Sequence, residues 1–550
     1  MITLVTGVLT LSGLLTLCWS LGGLLCPASE REENNLWLGL LALVALVSLV
    51  QLVFPVGDLL ARSLIMATGL LGLARRRDAF RHLRALRVKA AATSAVAFLG
   101  ILVVVTLLSV RPITNPDSGL YHFQALEFLR TERMIVGLSN LQIRLAHPSS
   151  AYSIAAIAEN GLWGSEGYRL TAGLVTTLSC ISFGVAYRRF RNLSGGASDA
   201  LLLFALPCVW GMLIFDPAYF AGVSLDGTTA IVGVVAASYL LRFLELRDNK
   251  SFGDAALLAA LAYSFRPASA WFVLVLIGLG ATSWRAGLIS VRPTLIPAFF
   301  IGLFVFRTWL LSGVPIFPLG VATPWTSWAL SSDALDNYLG EVASSASGSA
   351  EPLWTDVSLV WSWYRNLRLH LDEVFVVGLL TLGLVPTLWR QRSAFSETAR
   401  AVLLVALVPV VIWFVFGPDF RFGMAPLATL AASPVMFLAF SSSDSRNNET
   451  AGLLVRWSAM AVVLLTLLVP ALGPTGTILF NAVKSPSAAP ASETAAVLEA
   501  SRSGSETISA PLGEESFCGR QVWCVPSSAR ADQVVVRQFL LWKVVTDRSR

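Results

Sequence analysis

Long, uninterrupted apolar runs recur along most of this 550-residue chain, and a chain written that way has few folds open to it. Many of the runs approach the ~20 residues that a helix needs to cross a hydrocarbon layer. They are continuous and not alternating, so helices, not barrel strands, are the expected spanning structure. Only 13% of the residues are charged, against roughly 25% in soluble proteins. A mean hydropathy of +0.69 points the same way and excludes a soluble globule. The net charge of +6 is small for this length and lies mostly in short loops, which excludes nucleic acid as a partner.

The expected fold is therefore an all-α polytopic membrane protein. Spans are predicted at about 3–26, 36–56, 90–110, 169–187, 199–215, 224–243, 294–312, 374–389, 401–416, 423–440 and 455–473. Two shorter segments, 254–265 and 268–283, flank Arg266-Pro267 and meet at a break near one face, which brings the count to about 13. The run 58–74 is interrupted by Arg62 and is left as a surface helix outside that count. The first 29 residues carry no charge, which favours a retained span over a cleaved signal peptide.

Lys and Arg concentrate at 75–89, 188–191, 242–250, 285–292 and 390–400, which should lie in the cytoplasm. Span counting then places the N-terminus inside. It puts the loops 111–168 and 313–373 and the tail 474–550 outside. Three units follow: N-terminal helices with a basic loop (1–89), a transmembrane core (90–473) and a small extracytoplasmic tail (474–550). In the first outer loop Leu120, Phe123, Leu126 and Leu129 recur at helical spacing opposite His122, Gln124 and Glu127 or Arg130. That pattern predicts an amphipathic surface helix, with Asp117 able to cap it. The Trp-rich loop 313–373 suits an interfacial flap.

Topology gathers scattered polar residues on one side. Asp117, His122, Arg144 and His147 belong to the first outer loop, Asp226 begins a span, and Arg266 sits at the break. Arg307 lies near the outer end of its span, and Asp419 and Arg421 occupy an outer turn. Charges in spans are costly and usually face a cavity or a partner. Ordinary readings stand beside the functional one. Asp117 serves as a helix cap, His122 as an interfacial hydrogen-bonder, and Arg266 or Arg307 as a partner for Asp226 or a carbonyl. Asp419 and Arg421 pair across their turn. No His-x-x-x-His or Glu-x-x-His spacing supports a metal, so none is assigned and a divalent ion is left open. No nucleotide fingerprint occurs. Cys18, Cys26, Cys180 and Cys208 are packing residues, whereas Cys518 and Cys524 suit a disulfide if the tail is exported.

The order of a span, then Pro-Asp-Ser-Gly-Leu-Tyr-His (116–122), Gly-Leu-Ser-Asn-Leu-Gln-Ile-Arg-Leu (137–145) and Pro-Ser-Ser (148–150) resembles a family of bacterial multi-spanning proteins. The stretches Arg307–Pro318 and Pro418–Phe422 and the pair Cys518 and Cys524 also resemble it. That family in turn looks related to the GT-C glycosyltransferases, which use polyprenyl-phosphate-linked sugar donors and place an acid just after an early span. Asp117 matches that place, although it lacks an adjacent acid and follows the third predicted span instead of the first.

The resemblance implies sugar transfer onto a glycan, lipid or protein acceptor at the outer face of a bacterial plasma membrane. It implies Asp117 as general base, Arg266, Arg307 and Arg421 as phosphate partners, and His122, Arg144 and His147 as acceptor or orienting groups. Two other classes remain: a transporter or flippase of a lipid-linked or anionic solute, and a non-catalytic assembly subunit. A transporter would need polar residues in both leaflets, and the inner halves of the spans read as nearly all apolar.

Overall fold

A computed structural model describes residues 2–25, 32–75, 88–111, 113, 115, 117–192, 194–215, 220–223, 225–318, 326–347, 397–416, 420–440, 498–503, 506–511, 534–539 and 542–547. The predicted spans 374–389 and 455–473, Asp419, Cys518 and Cys524 lie outside the described residues. The long helices are α1 (Ile2–Leu25), α2 (Glu32–Gln51), α3 (Leu59–Arg75), α4 (Val88–Ser109), α7 (Leu170–Arg191), α8 (Ala197–Phe215) and α9 (Leu225–Leu246). They continue with α10 (Asn249–Phe265), α11 (Ala270–Arg285), α12 (Arg292–Ser312), α14 (Glu397–Phe416) and α15 (Phe420–Phe440). Shorter helices are α5 (Phe123–Thr131), α6 (Ser150–Ala158) and α13 (Ser332–Ser347). Among the described residues six helices are long and apolar enough to cross a membrane: those over Thr3–Leu25, Glu33–Gln51, Gly164–Arg191, Ala197–Ile214, Leu225–Leu246 and Arg292–Ser312.

Helix contacts define two ends of the bundle. Arg189 meets Glu33 at one end, together with Asp199 at 2.9 Å, and Asn34 bonds Asp254 there at 2.9 Å. At the other end, Arg307 near the close of α12 reaches Ser48 and Gln51 near the close of α2. Met134 N donates to Gln51 O at 2.8 Å, which ties the loop 111–168 to that same end. We call these the basic end and the loop end.

This packing reverses the expected placement of the N-terminus. A Cβ on Gly7 would meet Thr106 and Trp163, and Trp163 N donates to Thr10 Oγ1 at 3.2 Å, so α1 begins at the loop end. The helix α3 is the reason. Gly69 lies against Leu17 and Gly72 against Ser20, so α3 runs parallel to α1 from one end to the other and is not a surface helix. Adding that passage flips the parity of everything before it. Leu60, Leu64 and Leu71 are exposed on its outward side, and Arg62 and Ser63 are exposed among them. The α1–α2 hairpin is tight because Gly22 meets the Asn35 carbonyl, where any Cβ would overlap it.

Where the tail is described it is not helical. Strands β1 (Leu498–Ser503) and β2 (Glu506–Pro511) form one antiparallel pair, and β3 (Val534–Phe539) and β4 (Trp542–Asp547) form another, with Val534 opposite Asp547. Strand β4 also pairs with the first loop. Val136 N donates to Lys543 O and Val545 N to Val136 O, both at 2.9 Å. Lys543 Nζ adds an ion pair to Glu132 at 2.9 Å. This end of the tail is thus joined to the loop-end structure.

Candidate functional site

The polar stretch after α4 folds into the loop end and does not float on it. Asp117 precedes a π-helical turn, Ser118–His122, and that turn runs directly into α5. Single π turns inside helices are frequent at functional sites. The Asp117 carboxylate makes no capping bond, contrary to expectation. It faces Arg421 in the first turn of α15, with Oδ2 to Nη1 at 3.7 Å. The amphipathic surface helix also needs correction. Phe123, Leu126 and Leu129 are buried as predicted, but so are His122 and Gln124 opposite them. The hairpin between α2 and α3 covers part of α5, with Val56 N and Gly57 N donating to Leu129 O and Arg130 O at 3.0 and 2.9 Å.

Two further segments aim charge at the same place. Ser149 caps α6 and donates its hydroxyl to Phe265 O at 2.8 Å, while Ser150 Oγ bonds Ser264 Oγ at 2.7 Å. The Pro-Ser-Ser motif therefore pins the end of α10, where the chain turns extended at Arg266. Arg266 pairs with Asp226 in the first turn of α9. Its guanidinium lies 4.1 Å from the centroid of Phe422, and that of Arg421 lies 5.7 Å from the same ring. The two arginines and Asp226 line one small cleft of about 30 Å³ floored by Trp271 and Phe272.

Arg266 also lines a second cleft, of about 60 Å³, with Tyr121, Tyr263, Tyr338, His147 and Thr308 among its walls. The helix α13 closes one side. Tyr338 Oη sits 3.2 Å from His147 Nε2, and Arg144 is ion-paired with Glu341 on the same helix. Arg144 also lies 5.8 Å from the Tyr121 ring centroid. Burial holds His147 down at about 3, with the Arg266 charge adding to that effect. It holds His122 down at about 4, partly opposed by Asp117. Both imidazoles are therefore neutral near pH 7. The Tyr121, Tyr152 and Tyr338 phenols are pushed up by the same burial, so all three stay protonated.

Buried polar groups are nearly always hydrogen-bonded. Among the described residues neither ring nitrogen of His122 has a hydrogen-bond partner, and neither has the Tyr152 hydroxyl, although the two rings lie 6.0 Å apart. These groups sit behind Asp117, where an unmet polar side chain is costly.

The structure thus gathers Asp117, His122, Arg144, His147, Asp226, Arg266 and Arg421. It puts Arg307 elsewhere, buried and donating to Ser48 Oγ at 2.8 Å and Gln51 Oε1 at 2.7 Å. Those bonds tie α12 to α2 and turn its guanidinium away from the clefts, which Phe304 and Thr308 of the same helix do line. The Gly137–Asn140 motif is likewise architectural. Asn140 Nδ2 donates to Gly137 O, Trp328 O and Val545 O, at 3.2, 2.8 and 3.1 Å. Gly137 has a φ of 70°, and a Cβ there would strike Val545 O.

Residue-level reading missed Tyr121, Tyr152, Tyr263, Tyr338 and Glu341. Tyr121 lay inside the polar stretch and the others gave no local signal. Among the described residues no three His, Cys, Asp or Glu side chains converge as metal ligands would.

A family model described as a domain of unknown function, DUF8201, matches residues 1–428. The chain belongs to that family. No curated protein and no solved structure matches it. The DUF8201 region contains every member of the loop-end cluster from Asp117 to Arg421, whereas the strands of the tail lie beyond it.

Proposed function

We propose that the chain is a membrane glycosyltransferase of GT-C type. It would move a sugar from a polyprenyl-phosphate-linked donor to a hydroxyl acceptor of the cell envelope, at the outer face of a bacterial plasma membrane. One observation carries the reading. A carboxylate, Asp117, stands 3.7 Å from Arg421, beside a second arginine and a cleft walled by tyrosines and hydroxyls.

The chemistry balances with these groups. The acceptor oxygen attacks the anomeric carbon and its proton passes to Asp117. The anomeric carbon–oxygen bond to phosphate breaks, and polyprenyl phosphate departs with the electron pair. Arg266 and Arg421 stabilise that leaving charge by charge-assisted hydrogen bonds. Tyr121, Tyr263 and Tyr338 offer ring faces and hydroxyls to a sugar, and neutral His147 orients Tyr338. The scheme uses no metal. The roughly thirteen spans expected from the sequence, with α3 added to them, and a GT-C-like core remain part of this proposal.

A rival is favoured by one finding, the polar network of Glu33, Arg189 and Asp199 at the basic end, since a transporter of lipid-linked or anionic solute needs polar groups at both ends. Those groups are closed on each other, which supports a clamp in preference to a pathway. The discriminating experiment reconstitutes the full chain in vesicles with a labelled polyprenyl-phosphate-sugar. Release of polyprenyl phosphate supports the transferase. Movement of intact label without bond cleavage supports the transporter, and neither outcome supports an assembly role.

A further inference from the structure

The two ion pairs at the loop end are built differently. Asp226 and Arg266 form an inner pair in which the acid side chain is only 6% exposed. Separating them would leave a carboxylate stranded in a poorly solvated place, so this pair is fixed. Asp117 and Arg421 form an outer pair, 25% and 34% exposed, at a separation beyond direct hydrogen bonding. A partly exposed pair that is not directly hydrogen-bonded adds little stability. Arg421 also stands in the first turn of the 21-residue helix α15, whose N-terminal amides add positive potential. Arg266 reaches the same Phe422 ring, so a single anion at that ring would feel both guanidiniums and the helix end.

We propose that Arg421 is an exchangeable cation. In the free chain it holds Asp117, and a phosphate monoester or diester on the ligand takes it over and releases Asp117. A phosphate ester presents two non-bridging oxygens that match the guanidinium fork bidentately, and a monoester also carries more charge than one carboxylate, so it wins the exchange. Asp226 stays on Arg266 throughout and keeps that arginine in place. The consequence is an order of events: the anion binds first, and only then does a carboxylate beside Tyr121 become available to a hydroxyl. The last step rests on the transferase reading, whereas the exchange itself is a binding event.

The test measures binding of farnesyl phosphate, and separately of inorganic phosphate, to the detergent-solubilised full chain. Wild type, Asp117→Asn, Arg421→Gln and the double variant are compared, with thermal melts to confirm folding. Exchange predicts that Asp117→Asn binds about two- to fivefold tighter, because a competitor for Arg421 is gone. Arg421→Gln should bind more than about tenfold weaker, and adding Asp117→Asn to it should change nothing further. If Arg421→Gln does not fold, Arg421→Lys keeps the charge without the fork and should lie between.

Tightening for farnesyl phosphate alone supports exchange with a lipid headgroup, and equal tightening for both probes supports exchange with any phosphate. Unchanged or weaker binding by Asp117→Asn, while Arg421 still matters, overturns the exchange and leaves the transferase reading standing. Binding of neither probe to any variant overturns both.

Discussion

At the basic end Arg189 is gripped by Glu33 and by Asp199 at 2.9 Å, and Glu245 accepts from Ala197 N, Ser198 N and Ser198 Oγ. At the loop end Asp117 and Arg421 stand 3.7 Å apart, and the buried polar atoms of His122 and Tyr152 meet no hydrogen-bond partner among the described residues. The side-chain types are similar and the bookkeeping is opposite. A network whose members satisfy each other rigidifies a bundle and leaves nothing over for a ligand. A cluster with loose pairs and unmet groups costs stability and is retained where a ligand completes it. The comparison teaches that charge placement alone does not mark a site in this chain, and that the degree of mutual satisfaction does.

Breaking the basic end should act on stability alone. Arg189→Met leaves two acids near each other and partly buried, and should destabilise by about 3 kcal/mol, read as a lower melting temperature in detergent with turnover per folded molecule unchanged. Loss of turnover at unchanged stability would erase the contrast. Arg307→Met tests whether one loop-end arginine belongs with the structural group. Ser48 and Gln51 lose their donor, so a cost of about 1–3 kcal/mol is expected, with farnesyl phosphate affinity intact in the folded fraction. A selective loss of affinity would return Arg307 to the site. A smaller effect is expected from Asn140→Ala. It removes one donor shared by three carbonyls, at a cost of about 1–2 kcal/mol, and protease accessibility of the tail should rise because β4 loses an anchor.

A fourth test is a pH slope. His122 and His147 titrate at about 4 and about 3 in the folded chain, below the ~6.5 of an exposed histidine. Between those values the unfolded chain binds more protons, so stability rises as pH climbs from about 3 for His147 and about 4 for His122 to about 6.5, and is flat above. It is lost as pH falls through the same window. Melting curves from pH 5 to 8 should show this rise, and His122→Phe together with His147→Phe should flatten it. An unchanged slope in the double variant would mean that neither imidazole is buried as described.

Much of the architecture could be read before the structure. The apolar runs marked the long helices, and Arg266-Pro267 marked the break between α10 and α11 on the loop side. The sidedness of α1–α3 could not be read. The sequence between the first two apolar runs holds Glu30, Arg31, Glu32 and Glu33, with no positive bias, and Arg62 made α3 look unfit to pass through the bundle. In the site, Asp117, Asp226, Arg266 and Arg421 were legible because charges beside apolar runs are rare. Arg307 was legible as a charge, yet its engagement with α2 is a contact across more than 250 positions that no local pattern encodes. Gly137–Asn140 is a similar case, since its partners lie on Trp328 and Val545.

The most direct test of the central claim is transfer from a polyprenyl-phosphate-linked sugar by reconstituted wild type and Asp117→Asn side by side. The account predicts release of polyprenyl phosphate by wild type and a fall of ~10²–10⁴-fold in the variant, while farnesyl phosphate still binds both. Transfer by Asp117→Asn within about threefold of wild type would contradict it, since a loss so far below that of a positioned general base would leave Asp117 no such role.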